Sequence, residues 1–229
     1  PTVALARLSS TPSRDSQLRF GATFSEPVTV VNPGNLTITN GNLVGVQGSG
    51  TTYVFVVAPA ADGDVTASLR ANVAVDAAGN GSQAAPADAK ITSDRTPPTV
   101  AVSAPVGGIA TITFSEPIRG FDINDLRLTR DGAVLKLPSP PTNPSGNRTT
   151  WSLGLGQTVA LRGRYVLRVI AAGSGILDDA GNPLQADGVA TFAVDTTPPL
   201  ATIDGIKPLT NATIDQALIN FCLLYTSDA

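Results

Sequence analysis

The sequence predicts an all-β chain of tandem antiparallel β-sandwiches joined by short Pro-Pro linkers. Three observations carry that reading: period-two hydrophobic alternation, regularly spaced turn clusters, and one set of landmarks met twice about a hundred residues apart. Ala110, Ile112 and Phe114 alternate with Thr111 and Thr113, and Tyr165, Leu167 and Val169 alternate with Arg164, Val166 and Arg168. A period of two puts one set of side chains on a buried face and the other toward water, which is the pattern of half-buried strands. Clusters such as Asn32-Pro33-Gly34-Asn35, Ala61-Asp62-Gly63-Asp64 and Asp131-Gly132 interrupt the runs with residues suited to tight turns, and no amphipathic helix of three turns is visible. About seven strands per hundred residues is the expectation for such a sandwich.

The landmarks recur in a fixed order. Phe24-Ser25-Glu26-Pro27-Val28 returns as Phe114-Ser115-Glu116-Pro117-Ile118, and Thr51-Thr52-Tyr53 as Thr149-Thr150-Trp151. Asp76-Ala77-Ala78-Gly79-Asn80 returns as Asp178-Asp179-Ala180-Gly181-Asn182, and Asp94-Arg95-Thr96-Pro97-Pro98 as Asp195-Thr196-Thr197-Pro198-Pro199. Boundaries follow: residues 1–95 as a first domain, 96–197 as a second, 198–221 as the truncated start of a third repeat. Residues 222–229 have no counterpart in the other copies and read as a non-native tail, so Cys222 is not taken as evidence of thiol chemistry. The second copy also holds an insertion of roughly eight residues, the Pro-rich stretch 138–147, which suits a surface loop because proline cannot donate to a strand ladder. Two adjacent prolines fix two φ angles, so each linker is expected to be extended and semi-rigid.

Composition narrows the chemistry. At 229 residues the chain accommodates two cores of ordinary size. Its 42% hydrophobic and 14% charged content is that of a folded protein and argues against disorder. Net charge is -3 and the 15 Lys and Arg are scattered, so no basic stripe offers nucleic acid a footprint. With no His, His-based nucleophilic triads and His-bearing zinc sites cannot be assembled, and a single Cys precludes an internal disulfide. Neither phosphate-cradling glycine motif is present, and no apolar run reaches the length of a membrane span. The chain is therefore read as non-catalytic, with no nucleic-acid partner and no membrane insertion in this segment.

These residues resemble bacterial immunoglobulin-like repeats, in which a D-x-T-P-P linker, an F-S-E-P segment after the second strand and a D-x-A-G-N loop near the last strand recur about every hundred residues. The resemblance covers residues 1 to about 220. It implies an immunoglobulin-like fold and a place in the stalk of a large surface adhesin or secreted multidomain protein, hence an extracellular or bacterial cell-surface location with neighbouring repeats of the same chain as partners. The second copy departs from the pattern by its Pro-rich insertion, and the first by extra residues before Phe24.

Strand order in such a sandwich brings three segments to one pole, and this predicts a calcium site. For the second copy the oxygen-bearing residues are Asp94 before the linker, Glu116 after the second strand, and Asp178, Asp179 and Asn182 in the late loop. Glu26, Asp76 and Asn80 are the equivalents in the first copy. Calcium takes six to eight hard oxygen ligands, and an interdomain junction rich in carboxylates supplies them. The alternative is structural: Glu116 accepts hydrogen bonds from amides of the 178–182 loop, while Asp and Asn satisfy turn geometry. Trp151 and Tyr53 read as core residues, and Tyr165 as a corner tyrosine whose hydroxyl ties down backbone. The function expected is a structural spacer or stalk repeat, external ligand unknown. A glycan- or protein-binding module, or an accessory domain of a secreted hydrolase, is the alternative.

Overall fold

The structure, a computed structural model, describes residues 1–198; apart from Pro198, the expected third repeat and the expected tail lie outside the described residues. Pro1–Thr196 forms one compact unit and Thr197–Ala229 is assigned to a second. The boundary expected between 95 and 96 lies within the first unit.

The first half folds into β1 (Val3–Arg7), β2 (Leu18–Val31), β3 (Leu36–Thr39), β4 (Gly41–Pro59), β5 (Gly63–Leu69), β6 (Ala74–Asp76) and β7 (Ala85–Ser93). Strands β1, β2 and β4 form one antiparallel sheet with β6 added to the end of β2, and β3, β5 and β7 form another. Leu18, Phe20, Phe55, Val57, Val65, Leu69 and Ile91 are fully buried among the inward residues of these two sheets. Alternation explains the choice: along β5, Val65, Ala67 and Leu69 point in, while Asp64, Thr66 and Ser68 do not.

The second half comprises β8 (Val100–Val102), β9 (Ile109–Phe114), β10 (Ile118–Arg119), β11 (Leu126–Arg130), β12 (Ala133–Leu135), β13 (Thr150–Gly154), β14 (Gly163–Val169), β15 (Leu177–Asp178) and β16 (Gly188–Val194). Strands β13, β9 and β8 make one sheet, β12, β11, β14 and β16 another, and β10 pairs with β15. A second, separate apolar cluster includes Ala110, Ile112, Phe114, Leu128, Leu153, Tyr165, Leu167 and Val169. The alternations read in β9 and β14 thus point their apolar members into this core.

Corresponding strands pair in corresponding register. Val28 faces Asp76 across β2 and β6, and Ile118 faces Asp178 across β10 and β15. The F-S-E-P and D-x-A-G-N landmarks, some fifty to sixty residues apart in sequence, are therefore the two sides of one short ladder, which explains why they recur together. Gly79 and Gly181 in the late loops have φ of 85° and 95°, a backbone region that glycine enters without steric cost.

Trp151 is half-buried, edge-on to Phe121 with ring centroids 5.2 Å apart, and packs against the second core. Its buried indole Nε1 has no hydrogen-bond partner, whereas the equivalent Tyr53 donates its hydroxyl to the Val28 carbonyl at 3.2 Å. Tyr165 is fully buried and donates its hydroxyl to the Leu161 carbonyl at 2.7 Å, four residues upstream. The 138–147 loop is mostly free of strand, with Thr142 bridging to Ser152.

Candidate junction site at the linker

Residues 94–96, the segment between β7 and β8 read as a linker from the sequence, are held from both sides. On the preceding side, the turn before β5 presents Asp62: one carboxylate oxygen accepts the Arg95 amide at 2.9 Å and the other accepts the Thr96 hydroxyl at 2.5 Å. The Arg95 guanidinium stands 3.7 Å from the same carboxylate. These contacts hold Asp62 below the usual carboxylate range, the Thr96 hydroxyl contributing most and burial opposing. On the following side, Asn182 donates its Nδ2 to the Asp94 carbonyl at 3.0 Å and, at the limit of hydrogen bonding, to the Thr96 carbonyl at 3.5 Å.

Asn182 is aimed by Asp178. One oxygen of Asp178 accepts the amides of Gly181 at 2.6 Å and Asn182 at 2.8 Å, and the other accepts Asn182 Nδ2 at 2.8 Å. Both side chains are buried, so this local network fixes the amide before it meets the linker. The first copy repeats the device: Asp76 accepts the amides of Ala78 and Asn80 at 2.9 and 2.8 Å, and Asn80 Nδ2 at 2.8 Å. Asp76 is held below its ordinary value chiefly by the Asn80 side chain.

Of the candidate calcium ligands, Asp94, Glu116 and Asp178 each bring a carboxylate oxygen to one place, all within 4.8 Å of one another. Burial, reinforced by the neighbouring Asp178, raises both Asp94 and Glu116 above the normal carboxylate range, although the Thr96 amide partly offsets this for Asp94. Asp179 is engaged elsewhere, in a bidentate pair with Arg148 at 2.9 and 2.7 Å. Asn182 faces the linker carbonyls with its amide nitrogen. Of the loop amides that the alternative reading gave to Glu116, those of Gly181 and Asn182 donate instead to the Asp178 carboxylate within the same turn. In the first copy, the equivalent Glu26 is exposed, while Asp76 is buried and held in the network of its own turn.

A second linker contact was not anticipated. Arg162, in the turn before β14, lies 3.9 Å from Asp195, as Asp62 in the equivalent turn lies beside Arg95. The charges are exchanged between turn and linker, and a comparison of the two turns preceding Gly63 and Gly163 carried that signal.

No curated protein matches this chain. Among solved structures it is similar to the Escherichia coli adhesin FdeC at 14% identity, over 82% of this chain and 62% of that one, with a TM-score of 0.42. The Yersinia pseudotuberculosis adhesin InvE matches at 13% identity over 84% of this chain and 59% of that one, TM-score 0.28. An I-band fragment of titin matches at 14% identity over 83% and 64%, TM-score 0.37. This chain thus spans less than two thirds of each of these three. Residues 1–93 match the family model described as a bacterial Ig-like domain.

Proposed function

We propose that the chain is a non-catalytic spacer segment of a bacterial extracellular or cell-surface, adhesin-like protein, in which residues 1–95 and 96–197 are successive immunoglobulin-like domains on semi-rigid Pro-Pro linkers. The observation that carries this reading is the double clamp on residues 94–96, by Asp62 from one side and Asn182 from the other. A connector tied at both ends resists bending, which is what a spacer requires and a freely articulated pair of binding modules does not.

Its test is a distance distribution across the linker. Spin labels at Asn42→Cys and Thr191→Cys, in the full chain with Cys222→Ser, should give a narrow distribution that Asp62→Ala with Asn182→Ala broadens. A distribution equally broad with and without the clamp would reject the rigid-spacer reading.

Calcium at Asp94, Glu116 and Asp178 belongs to the same proposal. Three carboxylates each supply a hard oxygen, and a divalent cation would offset the burial and mutual repulsion that raise Asp94 and Glu116. With a dissociation constant of about 0.1 mM, typical of extracellular modules, millimolar calcium stabilises the junction by about 1.4 kcal/mol. Calorimetry should show a higher melting temperature in calcium than in chelator, a difference absent from Glu116→Gln. An unchanged wild-type melting temperature removes calcium from the proposal and leaves the clamp standing.

A further inference from the structure

Outside the junction, the outward face of the sheet β12-β11-β14-β16 places two cations directly opposite each other. Arg127 on β11 and Arg168 on β14 are cross-strand partners, and both are exposed. They line a shallow cleft of about 410 Å³ with Thr129, Val166, Ile170 and Asp187, within the range of small-molecule sites of about 300–1,000 Å³. Arg168 is paired, its Nη1 lying 2.9 Å from Asp187, which also accepts the Ala171 amide at 2.9 Å. The Arg127 guanidinium has no ion pair or hydrogen bond among the described residues. Two guanidiniums against one carboxylate leave the cleft with a net positive charge.

The first copy shows that the fold does not need this pair. Thr37 and Ser68 are cross-strand partners at the equivalent positions of β3 and β5. Hydroxyl pairs of that kind favour a sheet, whereas like charges placed opposite each other disfavour it. The second copy therefore holds a repulsive pair where the first holds a favourable one, compensated on one side only.

We infer that this cleft binds a carboxylate-bearing sugar of an acidic polysaccharide, with the Arg127 guanidinium as principal anchor. A guanidinium fork matches a carboxylate in bidentate geometry. Beside it, Val166 and Ile170 offer an apolar floor to one face of a sugar ring, and the Thr129 hydroxyl offers a hydrogen-bonding partner. No aromatic side chain lines the cleft to stack a neutral sugar, so recognition rests on charge. An extended acidic peptide fits less well: β14 is paired on both sides, and β12 covers β11 over Leu128–Arg130, which leaves only Leu126 and Arg127 at an open edge, too short a stretch for an added strand. Nucleic acid is disfavoured by the net charge of -3.

The experiment is titration calorimetry on the full chain at low salt with tetragalacturonate, maltotetraose and tetraglutamate. Tetragalacturonate should bind, weakening as salt rises, and maltotetraose should not. Arg127→Gln should weaken binding by about tenfold or more while its melting temperature stays the same or rises, since repulsion is removed. Absence of tetragalacturonate binding by the wild-type chain, or equal binding by Arg127→Gln, overturns the assignment. Tetraglutamate binding as tightly, with the same loss in Arg127→Gln, overturns the sugar and reassigns the cleft to acidic peptides. Because the clamp residues are untouched, failure here is distinct from failure of the spacer reading.

Discussion

Tyr165 and Asn182 show how single side chains fix the second half of the chain. The Tyr165 hydroxyl is the buried donor that satisfies the Leu161 carbonyl, so Tyr165→Phe removes one hydrogen bond without opening a cavity. A loss of about 1–2 kcal/mol is expected in chemical denaturation. Asn182→Ala should cost more, about 2–3 kcal/mol, because it strips a partner from the buried Asp178 as well as from the linker. Asn182→Asp separates the two contributions, since a carboxylate cannot donate to the Asp94 carbonyl and adds a charge beside Asp178; it should be the most destabilising of the three. Tyr165 was legible as a corner tyrosine from its place before the sixth-strand loop. Asn182 was legible as a polar loop residue, but its role depends on which atom faces the linker, and sequence carries no such orientation.

At the level of elements, the turn before β5, the linker and the loop after β15 act together through charges with displaced pKa values. Asp62 is lowered by the Thr96 hydroxyl first, and Asp187 by the Ala171 amide and then Arg168. Asp76 and Asp179 are lowered by Asn80 and Arg148 respectively. A carboxylate with a depressed folded-state pKa stabilises the fold above its unfolded value, about 3.9, and that stability is lost as pH falls through the folded value. Asp94 and Glu116, raised chiefly by burial, act in the opposite sense: their cost to the fold at neutral pH is relieved as pH falls through their folded values. Stability should therefore hold or rise slightly from neutral pH toward about pH 4 and decline below it. Thermal melts between pH 7 and pH 2, with linker distances measured alongside, check this, and Asp62→Asn should give a clamp that is weaker and less sensitive to acid. The strands themselves were legible because buried apolar residues fall at every second position of β9 and β14. The short ladder between β10 and β15 was not, since two-residue strands leave no period to read, although the shared recurrence of its two motifs was in plain view.

Across the whole molecule, two separate apolar clusters occupy the two halves, so damage to one should not spread fully to the other. Phe55→Ala should cost about 3–5 kcal/mol and Leu167→Ala about 2–5 kcal/mol, each lowering a different transition in scanning calorimetry. A single transition lowered equally by both would mean that the clamped linker couples the halves into one cooperative unit. The all-β class and the repeated landmarks were determined by the sequence alone, because alternation, turn residues and recurrence are properties of neighbours along the chain. Which oxygen accepts which amide, the gathering of Asp94, Glu116 and Asp178, and the diversion of Asp179 to Arg148 were decided only by tertiary structure. Those outcomes depend on differences of a few ångströms between groups far apart in sequence, and hydrogen-bond and Coulomb energies change steeply over just that range.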